Sequence, residues 1–441
     1  MKKSVLMLCF AAIFAACVVS AGPKQEKQVW RKGAIHTHTL WSDGRSLPEV
    51  AVQTYKDLKY DFMCITEHNV FPNEEYWFPV AKEEGKWPPN LSTKAYNHAQ
   101  KLLPGKLISK IMGVRIFVKL RTFKELQEMF NEKDKFVLIP GEEITNNTKD
   151  TKTGQGYSPH FNTFNLAEYI PAVRTRNPQE CLDTCFEQYQ AKSKNAPEKS
   201  FFMVNHPHAF FWDIDPVLLV KNPQITHFEI CNGALSPTAL KVCSIEKFWD
   251  FILAHRLVKG DKVLYATASD DTHFYLNAVG KVCGPDTAWV MVNTPDLTPE
   301  SITKAMIRGD FYASCGVELE KVIRDDAAKT LTVKVKPEKG VKYTISFIVT
   351  KKNFDRTIVT RKFIHPEKKA YNRDFTVVPE NIGITALTID GTEGSYTLKD
   401  DDLYVRAIVS SDQKITFSKT PGNYPGTKRA WTQPLCQKIK K

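Results

Sequence analysis

The chain has 441 residues, with 42% apolar and 11% aromatic residues, which excludes a disordered protein and favours two folded domains. The formal net charge is +12, and over the chain as a whole Lys and Arg look scattered rather than clustered. We therefore predict no stable nucleic-acid binding. A basic protein suits a small anionic partner, although the charge also serves solubility alone.

The first 21 residues resemble an export signal. Lys2 and Lys3 precede an apolar run over residues 5–19, and small residues follow at Ser20 and Ala21. The run is shorter than the ~20 residues that cross a bilayer, and no later stretch is long and apolar enough, so we expect no transmembrane span. We expect residues 1–21 to be removed and the protein to be periplasmic or secreted. Lipid anchoring at Cys17, within "FAAC", is the alternative.

From residue 30 to 318, short apolar runs alternate with amphipathic stretches, which predicts strands and helices around a parallel sheet or barrel. The predicted strands are "GAIHTH", "FMCITEH", "FVLIPGEEI", "HFNTFNL", "FFMVNH", "HFEICNG", "LYATASDD" and "AWVMVNT". The predicted helices cover residues 48–58, 121–132, 178–192, 243–256 and 298–308. Most strands end in a polar or ionisable residue, as expected where loops at the carboxyl ends of strands form a site.

Two stretches depart from this alternation. Residues 71–120 are rich in Pro, Trp and Tyr, and we predict an insertion or lid beside the site, with a plain surface excursion as the alternative. Residues 322–441 contain short alternating strands such as "KTLTVKVKP" and "LYVRAIVSS", which predict a small all-β sandwich with a supporting role. The expected fold class is α/β, with this sandwich after the large domain.

Eight cysteines lie beyond the leader: Cys64, Cys181, Cys185, Cys231, Cys243, Cys283, Cys315 and Cys436. An even number in an exported chain permits disulfides. Cys64 and Cys231 lie in apolar, strand-like runs, where a buried free thiol is the commoner state. We therefore predict no particular pairing.

Histidines concentrate at the ends of the predicted strands. Neutral imidazoles that pack together need a partner for their ring nitrogens, and the partner we expect is a shared metal ion. Carboxylates lie among them, at Asp43 and in the pairs "PGEE" and "SDDTH", and a carboxylate can bridge two cations. The sequence therefore predicts a site for two or three metals. The seven histidines, of eleven in the chain, are His36, His38, His68, His160, His206, His208 and His273.

The segments "HTHTLWSDG", "ITEHN", "PGEE", "HFN", "NHPH" and "DDTH" occur in the order and spacing of the polymerase and histidinol phosphatase (PHP) family. The chain resembles a PHP-domain metallohydrolase over residues 36–273, and "RGDFYASCG" at 308–316 is similar to the end of that domain. The resemblance implies a distorted seven-stranded β/α barrel. It also implies two or three divalent ions, of zinc, manganese or iron, at the carboxyl-terminal face of that barrel.

The resemblance also implies a ligand set. By motif, the first metal is held by His36, His38, Glu143 and Asp271, the second by Glu143, His160 and His206, and the third by Asp43, His68 and His273. Family spacing favours Glu143 over Glu142 and Asp271 over Asp270. Successive side chains of an extended segment point oppositely, so one of each pair should reach the metal.

Two positions depart from the family pattern, and a third residue has two possible roles. Asp43, in the third ligand set, stands where some relatives carry histidine. Glu67 replaces the aspartate usual before the histidine of "TDH", and we expect it to support a ligand rather than to bind metal. His208 could contact substrate or be structural.

The implied activity is hydrolysis of a phosphorylated small molecule or nucleotide by metal-activated water. Asp271 and His273 are the candidate catalytic residues that handle protons, and we expect a Lys or Arg from residues 71–120 to hold the phosphate. One alternative is an amidohydrolase-like enzyme that cleaves C–N or C–O bonds, whose barrel also opens with a His-x-His pair. The other is a non-catalytic surface binding protein on a PHP scaffold.

Overall fold

The computed structural model describes residues 28–83, 90–194, 199–207, 213–234, 243–364, 372–417 and 426–437. The predicted leader, Cys17 and His208 lie outside these described residues. Of the helices within them, none combines the length and the apolar character needed to cross a membrane.

The described residues form a mixed α/β structure. Its helices are α1 (Pro48–Asp57), α2 (Thr93–Leu102), α3 (Phe123–Phe130), α4 (Pro178–Ser193), α5 (Pro216–Lys221), α6 (Ile245–Leu257) and α7 (Pro299–Ile307). Its strands up to residue 314 are β1 (Trp30–Ala34), β2 (Phe62–Ile65), β3 (Tyr76–Ala81), β4 (Leu91–Ser92), β5 (Ser109–Met112), β6 (Arg115–Leu120), β7 (Val137–Thr145), β8 (Thr148–Lys149), β9 (Gly156–Tyr157), β10 (His160–Phe164), β11 (Phe201–Val204), β12 (His227–Asn232), β13 (Tyr265–Ser269), β14 (Trp289–Asn293) and β15 (Phe311–Ser314). The remaining strands are β16 (Leu319–Asp325), β17 (Thr330–Val335), β18 (Tyr343–Lys351), β19 (Val359–Phe363), β20 (Arg373–Val377), β21 (Ile384–Asp390), β22 (Glu393–Thr397), β23 (Asp402–Lys414), β24 (Thr427–Thr432) and β25 (Leu435–Cys436).

All eight strands predicted in the large domain are present in one sheet, in the order β13-β12-β11-β10-β7-β2-β1-β14. Strand β15, which was not among the predicted strands, follows β14 in that sheet. Strands β1, β2 and β7 run parallel to one another, as do β11, β12 and β13. The prediction of a parallel sheet is wrong for β10, which is antiparallel to both neighbours, and for β14, which is antiparallel to β1. The segments leading into β10 and β14 contain no helix, and a parallel crossover usually needs one.

The five predicted helices correspond to α1, α3, α4, α6 and α7. Their starts follow ordinary capping rules: Thr122 and Glu125 form a capping box at α3, and Asn177 caps α4 before a first-turn proline. Two helices were not predicted, namely α2 in the insertion and the short α5. Helix α5 has only six residues, which are too few for a hydrophobic periodicity to be recognised.

The described residues of 71–120 have secondary structure of their own, and their assignment as an insertion or lid stays a prediction. Strands β4-β3-β6-β5 make a separate four-stranded sheet that is accompanied by α2. Val118, Leu120 and Tyr96 are buried in the same apolar cluster as α1. The indole of Trp41 donates a hydrogen bond to the carbonyl of Arg121 at 2.9 Å, which fixes the base of the insertion beside the turn after β1.

The chain from β16 onward contains only strands among its described residues. Four of them, β24, β23, β18 and β21, extend the large sheet, because β24 pairs with β15. Strands β16, β17 and β22 form a second, three-stranded sheet. The large sheet therefore continues from the α/β part into the all-β part, and the proposed division into two domains stays a prediction.

A buried ion pair ties α6 to β23. The Arg406 guanidinium donates to both oxygens of Asp250 at 2.7 Å each, and the Tyr404 hydroxyl donates to the same carboxylate at 2.7 Å. Both charged side chains are 1% exposed. Burial alone would lower the pKa of Arg406, but Asp250 raises it above its ordinary value. The guanidinium therefore stays charged, and each partner of the buried pair depends on the other.

Replacing Asp250 by alanine should lower the free energy of unfolding by about 3 kcal/mol, because the buried guanidinium would lose its counter-charge. Urea denaturation followed by circular dichroism measures this. The matched control is Asp401→Ala, which removes a 64% exposed carboxylate 2.9 Å from Lys351 and should cost much less, because solvent screens an exposed ion pair. Equal, small losses for the two variants would contradict the prediction.

Candidate metal centre

The nine predicted site residues meet at one rim of the sheet. His36 and His38 follow β1, His68 follows β2, Glu143 lies in β7, His160 opens β10, His206 follows β11, and Asp271 and His273 follow β13. Asp43 lies in the turn after His38. The His38 amide donates to the Thr272 carbonyl at 2.9 Å, which joins this part of the chain to the segment after β13. A cavity of about 320 Å³ opens here, and it is lined by Asp43, Arg45, His68, Glu143, His160, His206, Ala234, Asp271, His273, Phe274 and Cys283.

The Glu143 carboxylate lies at the centre of the group. Although burial alone would raise its pKa, the neighbouring imidazoles of His68, His36 and His160 lower that pKa well below its ordinary value. Glu143 is therefore an ionised, buried carboxylate that faces histidines on both oxygens. Its Oε2 lies 3.3 Å from His36 Nε2, 3.3 Å from His38 Nε2 and 2.8 Å from His68 Nδ1, and its Oε1 lies 3.1 Å from His160 Nδ1 and 3.5 Å from His206 Nε2.

Two aspartates complete the ring of acceptors. Asp271 Oδ1 lies 3.4 Å from His36 Nε2 and 3.1 Å from His38 Nε2. Asp43 Oδ1 lies 3.4 Å from His68 Nε2 and 3.1 Å from His273 Nε2. His38 and His273 lie between the two aspartates, since His273 Nδ1 is also 3.6 Å from Asp271 Oδ1 and His38 Nδ1 is 3.9 Å from Asp43 Oδ1.

Three groups of side chains bring possible ligand atoms within 4.8 Å of one another. His38 and His68 each belong to two of the groups. His206 is in none of the three, although it lies 3.5 Å from Glu143. The groups are His36, His38 and Asp271; His68, Glu143 and His160; and His38, Asp43, His68 and His273.

The residues fit divalent cations. Four buried polar atoms, His36 Nε2, His38 Nε2, Asp43 Oδ1 and Glu143 Oε2, have no hydrogen-bond partner among the described residues. Buried polar atoms are rarely left in that state. Imidazole nitrogens and carboxylate oxygens that converge without hydrogen-bond geometry are satisfied by shared metal ions, for which both are ordinary ligands.

Glu229, on β12, is the supporting residue that sequence reasoning missed. Its Oε1 lies 2.8 Å from His36 Nδ1, and its Oε2 accepts from the His206 amide at 2.8 Å and from the Asn232 amide group at 3.0 Å. Holding Nδ1 of His36 turns Nε2 toward Glu143 and Asp271, as carboxylates do behind ligand histidines. The available signal was a carboxylate in the middle of the strand "HFEICN", whose six residues are all buried.

Glu67 supports the turn that carries Asp43. The buried carboxylate accepts from the Thr39 amide at 3.0 Å and from the hydroxyls of Thr39 and Ser42. The Ser42 hydroxyl in turn lies 3.5 Å from His38 Nδ1. These contacts are those of a residue that orients the site from outside it, as expected for Glu67.

The carboxylates adjacent to Glu143 and Asp271 face other parts of the protein. Glu142 accepts from the Ile170 amide at 2.7 Å, and burial raises its pKa to about 8. Asp270 accepts from the Tyr55 hydroxyl and the Thr287 amide, each at 2.7 Å, and burial raises its pKa to about 6. Alternation along strand β7 therefore separates Glu142 from Glu143. Asp270 and Asp271 lie beyond the end of β13, where the positive φ of Asp271 turns its side chain to another side.

Two of the site residues have a strained backbone. His206 has φ of +22° and Asp271 has φ of +49°, in the region that residues with a Cβ seldom adopt. Such conformations persist where surrounding contacts impose them, and they concentrate at functional sites. Here the His206 amide is held by Glu229, and the Asn232 side chain donates to Asp271 at 3.2 Å.

Arg45 is the basic residue of the cavity wall. Its guanidinium lies 5.5 Å from the ring centre of Phe274, and its amide donates to the His273 carbonyl at 2.8 Å. Among the described residues of 71–120, none lines this cavity, and the expectation of a phosphate-holding Lys or Arg from that stretch stays a prediction. The missed signal was the position of Arg45 directly after "SDG", in the turn that carries Asp43.

No family model matches the chain, and no curated protein matches it. Solved structures with some similarity include a two-domain protein from Bacteroides vulgatus, described as containing a predicted PHP-like metal-dependent phosphoesterase (17% identity, 94% of this chain and 97% of that one, TM-score 0.37). Another is a candidate metal-dependent phosphoesterase from Bifidobacterium adolescentis (12% identity, 55% and 87%, TM-score 0.27). A third is an amidohydrolase from Chromobacterium violaceum with bound sulfate and no metal (11% identity, 63% and 96%, TM-score 0.26). Because these TM-scores are low, function is inferred below from the residues of this chain.

Replacing Glu143 by glutamine should remove the charge that faces five histidines and so weaken divalent metal binding. The loss should exceed the roughly 10- to 100-fold that follows from changing a residue outside the ligand set. Isothermal titration with Zn²⁺ and Mn²⁺ measures it. Glu142→Gln is the matched control: its carboxyl points away from the cluster, so its affinity should stay that of the parent chain. Equal affinities in the two variants would exclude Glu143 as a ligand.

Metal affinity should rise with pH up to about 9. Burial alone would lower the pKa of His273, but contact with Asp43 and the charge of Asp271 raise it to about 9. A raised pKa keeps the metal-free imidazole protonated at neutral pH, and only the neutral form binds metal, so each binding event must release protons. Isothermal titration calorimetry in buffers of different ionisation enthalpy gives the number of protons released per metal ion bound. An affinity that is constant from mildly acidic pH to about 9 would contradict the prediction.

Proposed function

We propose that this chain is a metal-dependent hydrolase of phosphoric esters of the PHP type. The observation that carries the proposal is the set of buried imidazole and carboxylate atoms that face one another without hydrogen-bond partners beneath an open cavity. The motif resemblance supports the same class. The proposed scaffold is a distorted barrel of β1, β2, β7 and β10 to β13, within a domain over residues 30–318.

The proposed ligand sets follow the motifs. His36, His38, Glu143 and Asp271 hold one ion, Glu143 with His160 and His206 holds a second, and Asp43 with His68 and His273 holds a third. Divalent zinc, manganese or iron, when bound, supplies Lewis-acid chemistry, which lowers the pKa of water and offsets charge on phosphoryl oxygens. Glu143 is suited to lie between two ions because both of its oxygens face imidazoles.

His273 and Asp271 are the proposed catalytic pair. His273 is 19% exposed at the cavity wall, and its Nδ1 lies 2.8 Å from the Asp271 carbonyl and 3.6 Å from the Asp271 carboxylate. When His273 does not bind the third ion, its imidazole can take a proton from the attacking water or return one to the leaving oxygen. Asp271 orients the ring and opposes its loss of charge.

Arg45 is the proposed phosphate-binding residue. A guanidinium offers several N–H donors in a plane, which suits the oxygens of a phosphoryl group. Phe274, 38% exposed beside it, offers an apolar face for the organic part of the substrate. We therefore propose a small phosphorylated molecule or a nucleotide as substrate.

The remaining parts of the proposal concern the whole chain. Residues 1–21 would be removed on export to the periplasm or medium, with lipid anchoring at Cys17 as the alternative. Residues 322–441 would form the supporting β-sandwich. The pairing of β24 with β15 is the contact by which this part would brace the catalytic sheet.

The metal-loaded enzyme should hydrolyse bis-p-nitrophenyl phosphate or p-nitrophenyl phosphate, whereas His36→Ala should not. Matched p-nitroanilide and p-nitrophenyl acetate substrates test the amidohydrolase alternative. Among the described residues, no lysine lines the cavity, whereas many amidohydrolases hold a carboxylated lysine in theirs. Hydrolysis of the amide or acetate alone would overturn the phosphoesterase proposal. Less than one metal per chain with no hydrolysis would favour a binding protein.

Arg45→Met should raise the KM for the phosphoester about tenfold, because one charge-assisted hydrogen bond to phosphate is worth about 1.5 kcal/mol. The kcat should change much less. The matched control is Arg176→Met, which removes an exposed arginine that pairs with Glu180 away from the cavity. Steady-state kinetics of the two variants and the parent chain measure KM and kcat. An unchanged KM for Arg45→Met would exclude Arg45 from phosphate binding.

A further inference from the structure

The tip of the β5–β6 hairpin presents an apolar surface to solvent. Met112 pairs with Arg115, so Gly113 and Val114 form a two-residue turn. Val114 is 100% exposed and Ile111 is 76% exposed. Ile108, Met112 and Ile116 are also exposed. Turns of this length normally carry polar residues or glycine, and exposed apolar residues that cluster mark a contact surface.

Cations surround this tip. Residues 90–124 contain eight Lys and Arg residues and no Asp or Glu, so the scatter inferred from the whole chain does not hold for this stretch. At the base of the hairpin, Lys119 and Arg121 pair with Glu125. Nearer the tip, Lys110 and Arg115 form no ion pair with any described residue, and Lys110 lies 3.7 Å from the ring centre of Trp77.

We propose that this hairpin docks the protein onto a membrane surface rich in anionic phospholipid. Exposed Ile, Met and Val side chains can enter the boundary between headgroups and acyl chains, while flanking Lys and Arg attract anionic headgroups. A basic patch without apolar residues would not insert below the headgroups, and an apolar tip without charge would not distinguish anionic from neutral lipids. Docking onto an anionic membrane in this way therefore needs both features.

A second copy of this chain is the main rival occupant. Strand β5 is the edge of its sheet and could pair with another edge. The cations argue against it, because two copies would bring Lys110 and Arg115 of each hairpin together without a carboxylate between residues 90 and 124 to offset them. An anionic surface has the complementary charge.

The hairpin is placed so that docking affects the rest of the molecule. Its strand β6 leads to Arg121, whose carbonyl accepts from the Trp41 indole, and Asp43 lies two residues beyond Trp41. A docked hairpin would hold the cavity near the lipid surface. The inference does not depend on the proposed activity, and its test is independent of catalysis.

The test is sedimentation of residues 22–441 with vesicles. This fragment contains all described residues and lacks the apolar leader, which would itself bind lipid. Vesicles of phosphatidylglycerol and phosphatidylcholine should bind it at least tenfold more tightly than vesicles of phosphatidylcholine alone. The double variant Ile111→Ser/Val114→Ser should reduce binding about tenfold, and Lys110→Gln/Arg115→Gln should reduce both binding and its dependence on salt.

The matched control is Ile358→Ser/Ile364→Ser, which replaces two exposed isoleucines elsewhere on the surface and should bind as the parent chain does. Far-UV circular dichroism confirms that each variant is folded. Three results would overturn the proposal: no binding to either vesicle, equal binding by all variants, or a hairpin variant that changes only the sedimentation coefficient, which would indicate self-association.

Discussion

The arrangement of this protein depends on one buried carboxylate, that of Glu143. Five imidazoles from four different strand ends lie within 3.5 Å of its two oxygens. An ionised carboxylate without solvent is costly unless positive charge surrounds it, and imidazoles that crowd together repel one another once they are protonated. The site therefore has a stable electrostatic state only when cations or protons lie between these groups. The geometry of the strand ends serves to hold that arrangement.

The antiparallel strand β10 has a direct role in this geometry. Because β10 runs opposite to β7, His160 begins its strand at the rim where its neighbour ends, and the register sets His160 against Thr145 and Asn162 against Glu143. A parallel strand would place its first residue at the far end of the sheet. On the other side, Glu229 reaches His36 from β12 and fixes its ring from behind. Ligand atoms and supporting atoms thus come from strands with different directions.

The sequence predicted the local elements well because their signals are local. Apolar runs such as "FMCITEH" and a capping box such as that of Thr122 depend on neighbouring residues alone. The site was predictable in part, since histidines and acids at strand ends share a rim when the strands align. Strand direction was missed because it depends on the connections between strands. Glu229 and Arg45 were missed because they depend on contacts between distant parts of the chain, such as that of His36 with Glu229, which are 193 residues apart in the sequence. No periodicity encodes such contacts.

The pairing of β24 with β15 has a consequence for how the protein is made. Residues Tyr312 to Ser314 form hydrogen bonds with a strand that ends at Thr432, close to the last residues of the chain. During synthesis, the β15 edge of the large sheet stays open until β24 has been made, because all strands from β16 to β23 come between the two in the chain. Exposed strand edges promote aggregation. A cell that makes this protein must therefore protect that edge while the residues between β15 and β24 are translated.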